Sequence, residues 1–417
     1  MRRAENINPE ILRWARETAG LSVKEAANKL GLRPSGKKTD IEKLEALERG
    51  DTWPTRKQLL EIARVYRRPL TVFYLNKRPR EAKRGEDFRT LAGPVSGREA
   101  ALLDALLRDI RARQDMVSSV LEDDEDTRPL PFTGSLSISQ PVIEAANRIR
   151  SALGFENDES VCQGTRSPDE LFARLRNHIE QLGVFVILAG NLGSHHSNIS
   201  ENVFRGFAIA DPIAPFIVIN DQDAKSARSF TLIHELAHIF LGVTGISASP
   251  DTAVPHSTIK RIERFCNDIA SEFLLPEHFL SKTGEISEYS VAQALIKNVA
   301  RDFQVSEPMV AYRFWNTGRI SKNTYEKLET YYTDRWQEQR QRNRERTREN
   351  DEKGPSYYIV RRHRLGQGLI NLVGRMLLAN ELTHTKAAKM LGVKSSKVAP
   401  LMLGAELLNG PLASERR

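Results

Sequence analysis

Five residues, His234-Glu235-Leu236-Ala237-His238, carry the densest chemistry in this chain. They spell H-E-x-x-H. On an α-helix, residues four apart share a face, one turn from each other. Two imidazoles at that spacing can hold one metal ion without backbone strain. The glutamate beside the first histidine can then reach the water that such a metal activates. That is the place of the general base in metal-assisted peptide hydrolysis. The competing reading is a pair of core histidines bonded to backbone groups.

This chemistry needs elements to position it. Arg205 to Asp211 and Ala214 to Asn220 read as two short apolar strands split by a Pro-containing turn. A polar loop, Asp221 to Arg228, leads to Ser229 as the expected N-cap of a helix over 230–241, closed by Gly242. Phe230, Leu232, Ile233, Leu236, Ile239 and Phe240 surround the histidines, which predicts a helix buried nearly all round. Polar groups on such a helix need partners, and a metal would supply one. A catalytic zinc usually keeps three protein ligands and one open position. The third donor is expected from a second helix, Lys260 to Leu275, ended by Pro276. It carries Glu263 and Glu272, which at about 100° per residue point to opposite sides and cannot meet the same ion. Glu263 shares its face with Asn267 and Ala270, a polar and small strip, and is the favoured ligand. Either carboxylate could instead be a solvated helix-face charge.

Three blocks now carry a family resemblance: Phe204-Arg205-Gly206-Phe207-Ala208, Phe230 through Gly242, and Glu263 through Pro276. Their order and spacing resemble ImmA/IrrE-type metallopeptidases, over about the middle third of the chain. Cys266, Ile269, Phe273 and Leu275 depart from that family's pattern, and none of them is a presumed ligand. The resemblance implies a Zn2+ site with His234, His238 and Glu263 as ligands and Glu235 as acid/base. It also implies a protein substrate, a helix-turn-helix repressor whose cleavage derepresses stress or mobile-element genes. The alternative from another class is a DNA- or repressor-binding regulator with a structural or sensory metal site.

Bulk properties fit an intracellular regulator. Two cysteines, Cys162 and Cys266, are too few for a disulfide framework, and Cys266 reads as a small buried hydrophobe. No signal peptide is recognisable at Met1 and no apolar run reaches membrane-spanning length, so a cytoplasmic protein without membrane contact is expected. The charge is uneven. Residues 1–84 hold 21 Lys/Arg against 11 Asp/Glu, a net +10, whereas the whole chain is +8. Basicity concentrated in that segment points toward nucleic acid.

The same segment has a helical pattern: Pro9 to Ala19, a capping box at Ser22-Val23-Lys24-Glu25 opening a helix to Leu30, then Asp40 to Glu48, Thr55 to Tyr66 and Pro69 to Leu75. It resembles the XRE-type helix-turn-helix domain, through Leu21 to Gly31 and Leu47-Glu48-Arg49-Gly50. Two departures weigh against DNA reading there. Residues 33–38 look inserted, and the third helix offers Asp40, Glu42 and Glu45 against only Lys43. No DNA-contacting residues are assigned.

The expected organisation is an XRE-type domain over 1–84, a helical connection over 85–180, a zincin-like metallopeptidase domain over 181–320, a charged linker or helix over 321–353, and a helical unit over 354–417. The fold class is α+β and predominantly helical, with one small β-sheet in the metallopeptidase part. The last strand of that sheet, 214–220, is expected to align an extended peptide by backbone pairing. His195 and His196 read as exposed loop residues, and His256 is an unsupported candidate for an oxyanion donor. Thr383 to Gly392 followed by Val393 to Leu403 resembles a second helix-turn-helix pair, for which bundle packing is the expected role.

Overall fold

The computed structural model describes residues 3–34, 39–79, 97–156, 160–193, 197–247, 258–281, 283–349 and 356–409. His195, His196, His256 and most of the 33–38 insertion lie outside them. The chain divides into two compact units, Met1–Arg111 with Asn191–Val203, and Ala112–Gly190 with Phe204–Arg417.

The first unit is built on well-capped helices. Helix α1 (Pro9–Glu17) starts at Asn8, whose side chain accepts the Glu10 N–H. Helices α2 (Val23–Lys29) and α3 (Asp40–Arg49) each open on a capping box, Ser22 with Glu25 and Thr39 with Glu42. Each box satisfies two of the amide donors that a helix start leaves open. Helix α4 (Arg56–Val65) and a 3-10 turn at Leu70–Tyr74 complete the set. Ile7, Ile11, Trp14, Leu44, Leu59, Ile62 and Phe73 form their common core. Within it Arg16 donates to both oxygens of Glu48, at 2.7 and 3.0 Å, and to the Leu21 carbonyl. Helix α5 (Gly97–Glu122) follows.

The second unit holds a four-stranded sheet among helices. Helices α6 (Val142–Ala152) and α7 (Pro168–Gln181) precede strand β1 (Phe185–Leu188). Strands β2 (Gly206–Ile209) and β3 (Phe216–Ile219) form the expected hairpin, turned at Asp211, whose carboxylate accepts the amides of Ile213 and Ala214. Helix α8 (Lys225–Leu241) follows, then β4 (Gly245–Ser247) and α9 (Thr258–Leu274). The strand order is β1-β3-β2-β4, with β1 parallel to β3 and the other pairs antiparallel. Two expectations are corrected here. Strand β3 lies inside the sheet, bonded on both sides, so its backbone cannot receive an added peptide. Ser229 is not a cap: α8 begins one turn earlier, and Ser229 is buried within it.

Helices α10 (Glu277–Leu280), α11 (Tyr289–Asp302), α12 (Glu307–Asn316) and α13 (Lys322–Glu349) continue the unit. Helices α14 (Tyr357–Leu365), α15 (Gln367–Leu378), α16 (His384–Met390) and α17 (Val398–Asn409) end it. The start of α15 is tied to α7: the Glu180 carboxylate accepts the amides of Gln367 and Gly368 at 2.9 and 3.0 Å. Arg176, paired with Glu180, reaches the carbonyls of Val186, His363 and Arg364.

Replacing Glu48 by Ala leaves the Arg16 guanidinium buried without its carboxylate. The expected cost is about 3–5 kcal/mol. Hydrogen exchange on the full chain checks this: α1 and α3 amides lose protection while those of α8 and α9 keep theirs.

Candidate metal centre

Helix α8 is apolar on nearly every side. Leu232, Ile233, Leu236, Ala237, Ile239 and Phe240 are fully buried. His234, Glu235 and His238 are therefore carried into the interior, at 3%, 0% and 1% exposure. Helix α9 packs along α8 and brings Glu263 to the two histidines. The Nε2 atoms of His234 and His238 face each other at 3.1 Å. Each lies 3.3 Å from a different carboxylate oxygen of Glu263. Ligands bound about 2.1 Å from zinc at tetrahedral corners sit about 3.4 Å apart, so these donors already have the spacing such an ion requires. Their chemistry also fits, since imidazole and carboxylate are zinc's ordinary nitrogen and oxygen ligands.

The electrostatics favour a cation. Burial works against ionisation of Glu263, but hydrogen bonds from His234 and His238 outweigh it and hold the carboxyl well below the usual carboxylate range. Burial also works against charge on His238, and the neighbouring Cys266 and Glu263 override it upward. Cys266 is fully buried against His238, and burial pushes its thiol up. Its complete burial agrees with the sequence reading of a small buried residue.

Glu272 has a different use. Its carboxylate pairs with Arg313 of α12, and it accepts the Glu277 amide at 3.3 Å. Arg313 also donates to the Leu275 carbonyl. One turn back, Asp268 accepts from Tyr312 at 2.6 Å and Asn316 at 2.9 Å. The C-terminal half of α9 is thus clamped to α12, which fixes where Glu263 stands.

Strand β2 closes the other side of Glu235. A Cβ built on Gly206 would lie 2.8 Å from Thr231 Cγ2, 2.9 Å from Glu235 Oε1 and 3.0 Å from Glu235 Cγ. Gly206 is thus required for space rather than for its backbone angles. Sequence reasoning quoted this glycine without giving it a role. Its signal was a glycine inside an apolar strand, which marks a close approach. The short strand β4, paired through Ser247 to Gly206, was also not anticipated.

Residues 179–314 match the family model of the IrrE N-terminal-like domain, Peptidase_M78. The matched segment spans α8, α9 and the sheet, about a third of the chain. It supports the ImmA/IrrE family for this segment and a metallopeptidase-type centre. No curated protein and no solved structure gives a match.

Gly206→Ala is expected to displace the Glu235 side chain while leaving the three metal donors in place. Misplacing a reacting group by about 1 Å can cost about 100-fold in rate. Bound metal measured by mass spectrometry should match the wild type while kcat falls far more than KM rises. Wild-type turnover in this variant would show that the contact does not orient Glu235.

Proposed function

We propose that this chain is a zinc-dependent endopeptidase that cleaves a transcriptional repressor, so that stress or mobile-element genes are derepressed. The observation that carries the peptidase reading is the convergence of His234, His238 and Glu263, with Glu235 buried on the same helix. These three residues would hold the ion and leave one position open for water or substrate. A zinc ion there supplies Lewis acidity, polarising a peptide carbonyl and acidifying water. Glu235 accepts the proton of the attacking water and hands it to the leaving amine nitrogen. Gly206 lies against Glu235, where any side chain at position 206 would collide with its carboxylate.

Repressor cleavage is supported by the resemblance of the three sequence blocks to ImmA/IrrE-type peptidases and by the domain match. In the same reading the N-terminal helices form a repressor-like helix-turn-helix domain that contacts the target or DNA. The reading places the chain in the cytoplasm. Its two cysteines are both unpaired, and no described helix is long and apolar enough to cross a membrane.

Glu235→Gln is expected to retain zinc and to lower cleavage by about 100- to 10,000-fold, the usual contribution of general acid–base catalysis. Comparing new protein N-termini in cells carrying each form checks this: a repressor fragment should appear only with the wild type. Target genes that respond equally to both forms would favour the regulator with a non-catalytic metal. Separately, added Zn2+ is expected to raise the melting temperature of the wild type and not of His238→Ala, because binding to the native state alone stabilises it.

A further inference from the structure

We propose that the C-terminal helix pair α16–α17 is a docking surface for duplex DNA. The pair is a rigid, tightly turned unit. Helix α16 ends at Met390 with Leu391 as its C-cap, Gly392 takes a left-handed φ of +58°, and the Val393 amide bonds back to Ala388 at 2.9 Å. A short 3-10 turn, Ser395–Lys397, leads directly into α17. Ala387, Ala388, Met390 and Leu391 pack with Val398 and Leu401 against Leu369, Val373 and Met376 of α15. The turn is pinned from behind. Arg361 of α14 donates to the carbonyls of Leu391 and Gly392, at 2.7 and 2.9 Å. The Arg113 guanidinium fills the space that a side chain at position 392 would need. Two helices joined by a short glycine turn, with the second free on its outer face, is the geometry that places a helix in the major groove.

The charge on that outer face decides the partner. Between Glu381 and Glu406 there is no Asp or Glu, and there are four lysines, Lys386, Lys389, Lys394 and Lys397. Lys389, Lys394, Ser395, Ser396 and Lys397 are exposed around the turn and the entry to α17, and Ala399, Pro400 and Leu403 continue that exposed face. Lys397 is restrained: its Nζ lies 3.2 Å from the Tyr358 hydroxyl and 5.4 Å over that ring. Lysines, serine hydroxyls and a small apolar patch are the groups that bind phosphates and read base edges and thymine methyls. The N-terminal helix α3 shows the opposite sign, with Glu42 exposed and Asp40 and Glu45 half-buried. The major groove of B-form DNA admits a helix, whereas that of A-form RNA is too narrow for one. The fitting occupant is therefore duplex DNA.

The test uses the full chain and a fluorescent random-sequence DNA duplex of about 25 bp, titrated by anisotropy at several salt concentrations. Each phosphate contact contributes about 0.9 to the slope of log K against log salt. The double variant Lys394→Ala/Lys397→Ala is expected to reduce that slope by about 1.8 and to weaken binding at least about 10-fold at low salt. Ser396→Glu should weaken binding comparably, with its melting curve unchanged because the site is exposed. Glu235→Gln should bind as the wild type does. Wild-type affinity and salt slope in both surface variants would overturn the proposal, whether DNA is held by another part of the chain or not at all. Equal or tighter binding of an RNA duplex would overturn it too. So would a loss of self-association, rather than of DNA binding, in these variants.

Discussion

Three electron-rich side chains meeting inside the protein set the terms for the second unit. Two imidazole nitrogens stand 3.1 Å apart, and each is 3.3 Å from a carboxylate oxygen. Buried donors and acceptors are costly unless something between them satisfies all of them. A proton can serve one pair at a time, whereas a divalent cation serves all three. The arrangement also demands two helices held at a fixed separation, because Glu263 belongs to α9 and the histidines to α8. Much of the surrounding packing meets that demand. Helix α8 is apolar on nearly all sides, so it can be enclosed between the sheet and α9. Strand β2 approaches so closely that position 206 must lack a side chain.

Helix α9 shows how one element serves two electrostatic tasks. Glu263 and Glu272 lie on opposite faces, and both are carboxylates in largely buried surroundings. Glu263 is stabilised in its charged form by the histidines, Glu272 by Arg313. The second pairing is mechanical in effect. With Asp268 held by Tyr312 and Asn316, it prevents α9 from sliding or rotating along α8. A helix free to turn by one residue would carry Glu263 about 100° away from the histidines. The placement of the metal donors therefore depends on a salt bridge about two and a half turns distant.

What could be read from sequence follows from what is local. The i, i+4 histidines, the opposed glutamates and the capping box at Ser22 are consequences of helical period and short-range hydrogen bonding, so residue spacing suffices. The strand order does not follow from spacing. Pairing β1 with β3 across the intervening β2 is a long-range choice, and β4 has only three residues, Gly245, Ile246 and Ser247, with no alternation to mark them. Ser229 was misread because serine is a good cap in isolation. The run Lys225 to Arg228 is nonetheless helix-compatible, and burying another turn of α8 outweighs the local preference. Gly206 was visible as a residue, yet its meaning depends on Thr231 and Glu235, which are distant in sequence.

Charge was the least legible property, because net charge counts residues and recognition depends on which face displays them. Residues 1–84 are strongly basic, but several of those cations are engaged by groups of the chain itself. Arg16 is bound to Glu48 and Arg64 to Glu61, Arg68 lies over Trp14 and bonds Thr18, and Lys43 bonds a backbone carbonyl. The acids of α3 are engaged as well, Glu42 in the capping box with Thr39 and Glu45 in a pair with Arg49. The C-terminal helices also use their arginines internally, with Arg361, Arg362 and Arg364 bonded to carbonyls or to Asp221. Their lysines differ. Lys389, Lys394 and Lys397 are exposed, and no Asp or Glu lies between Glu381 and Glu406, so their charge faces solvent. Arginine, with its planar fork, suits fixed internal bonds; lysine, a mobile point charge, suits a surface that meets a polyanion. The distribution of the two residue types thus separates the scaffold of this helical unit from the face it presents.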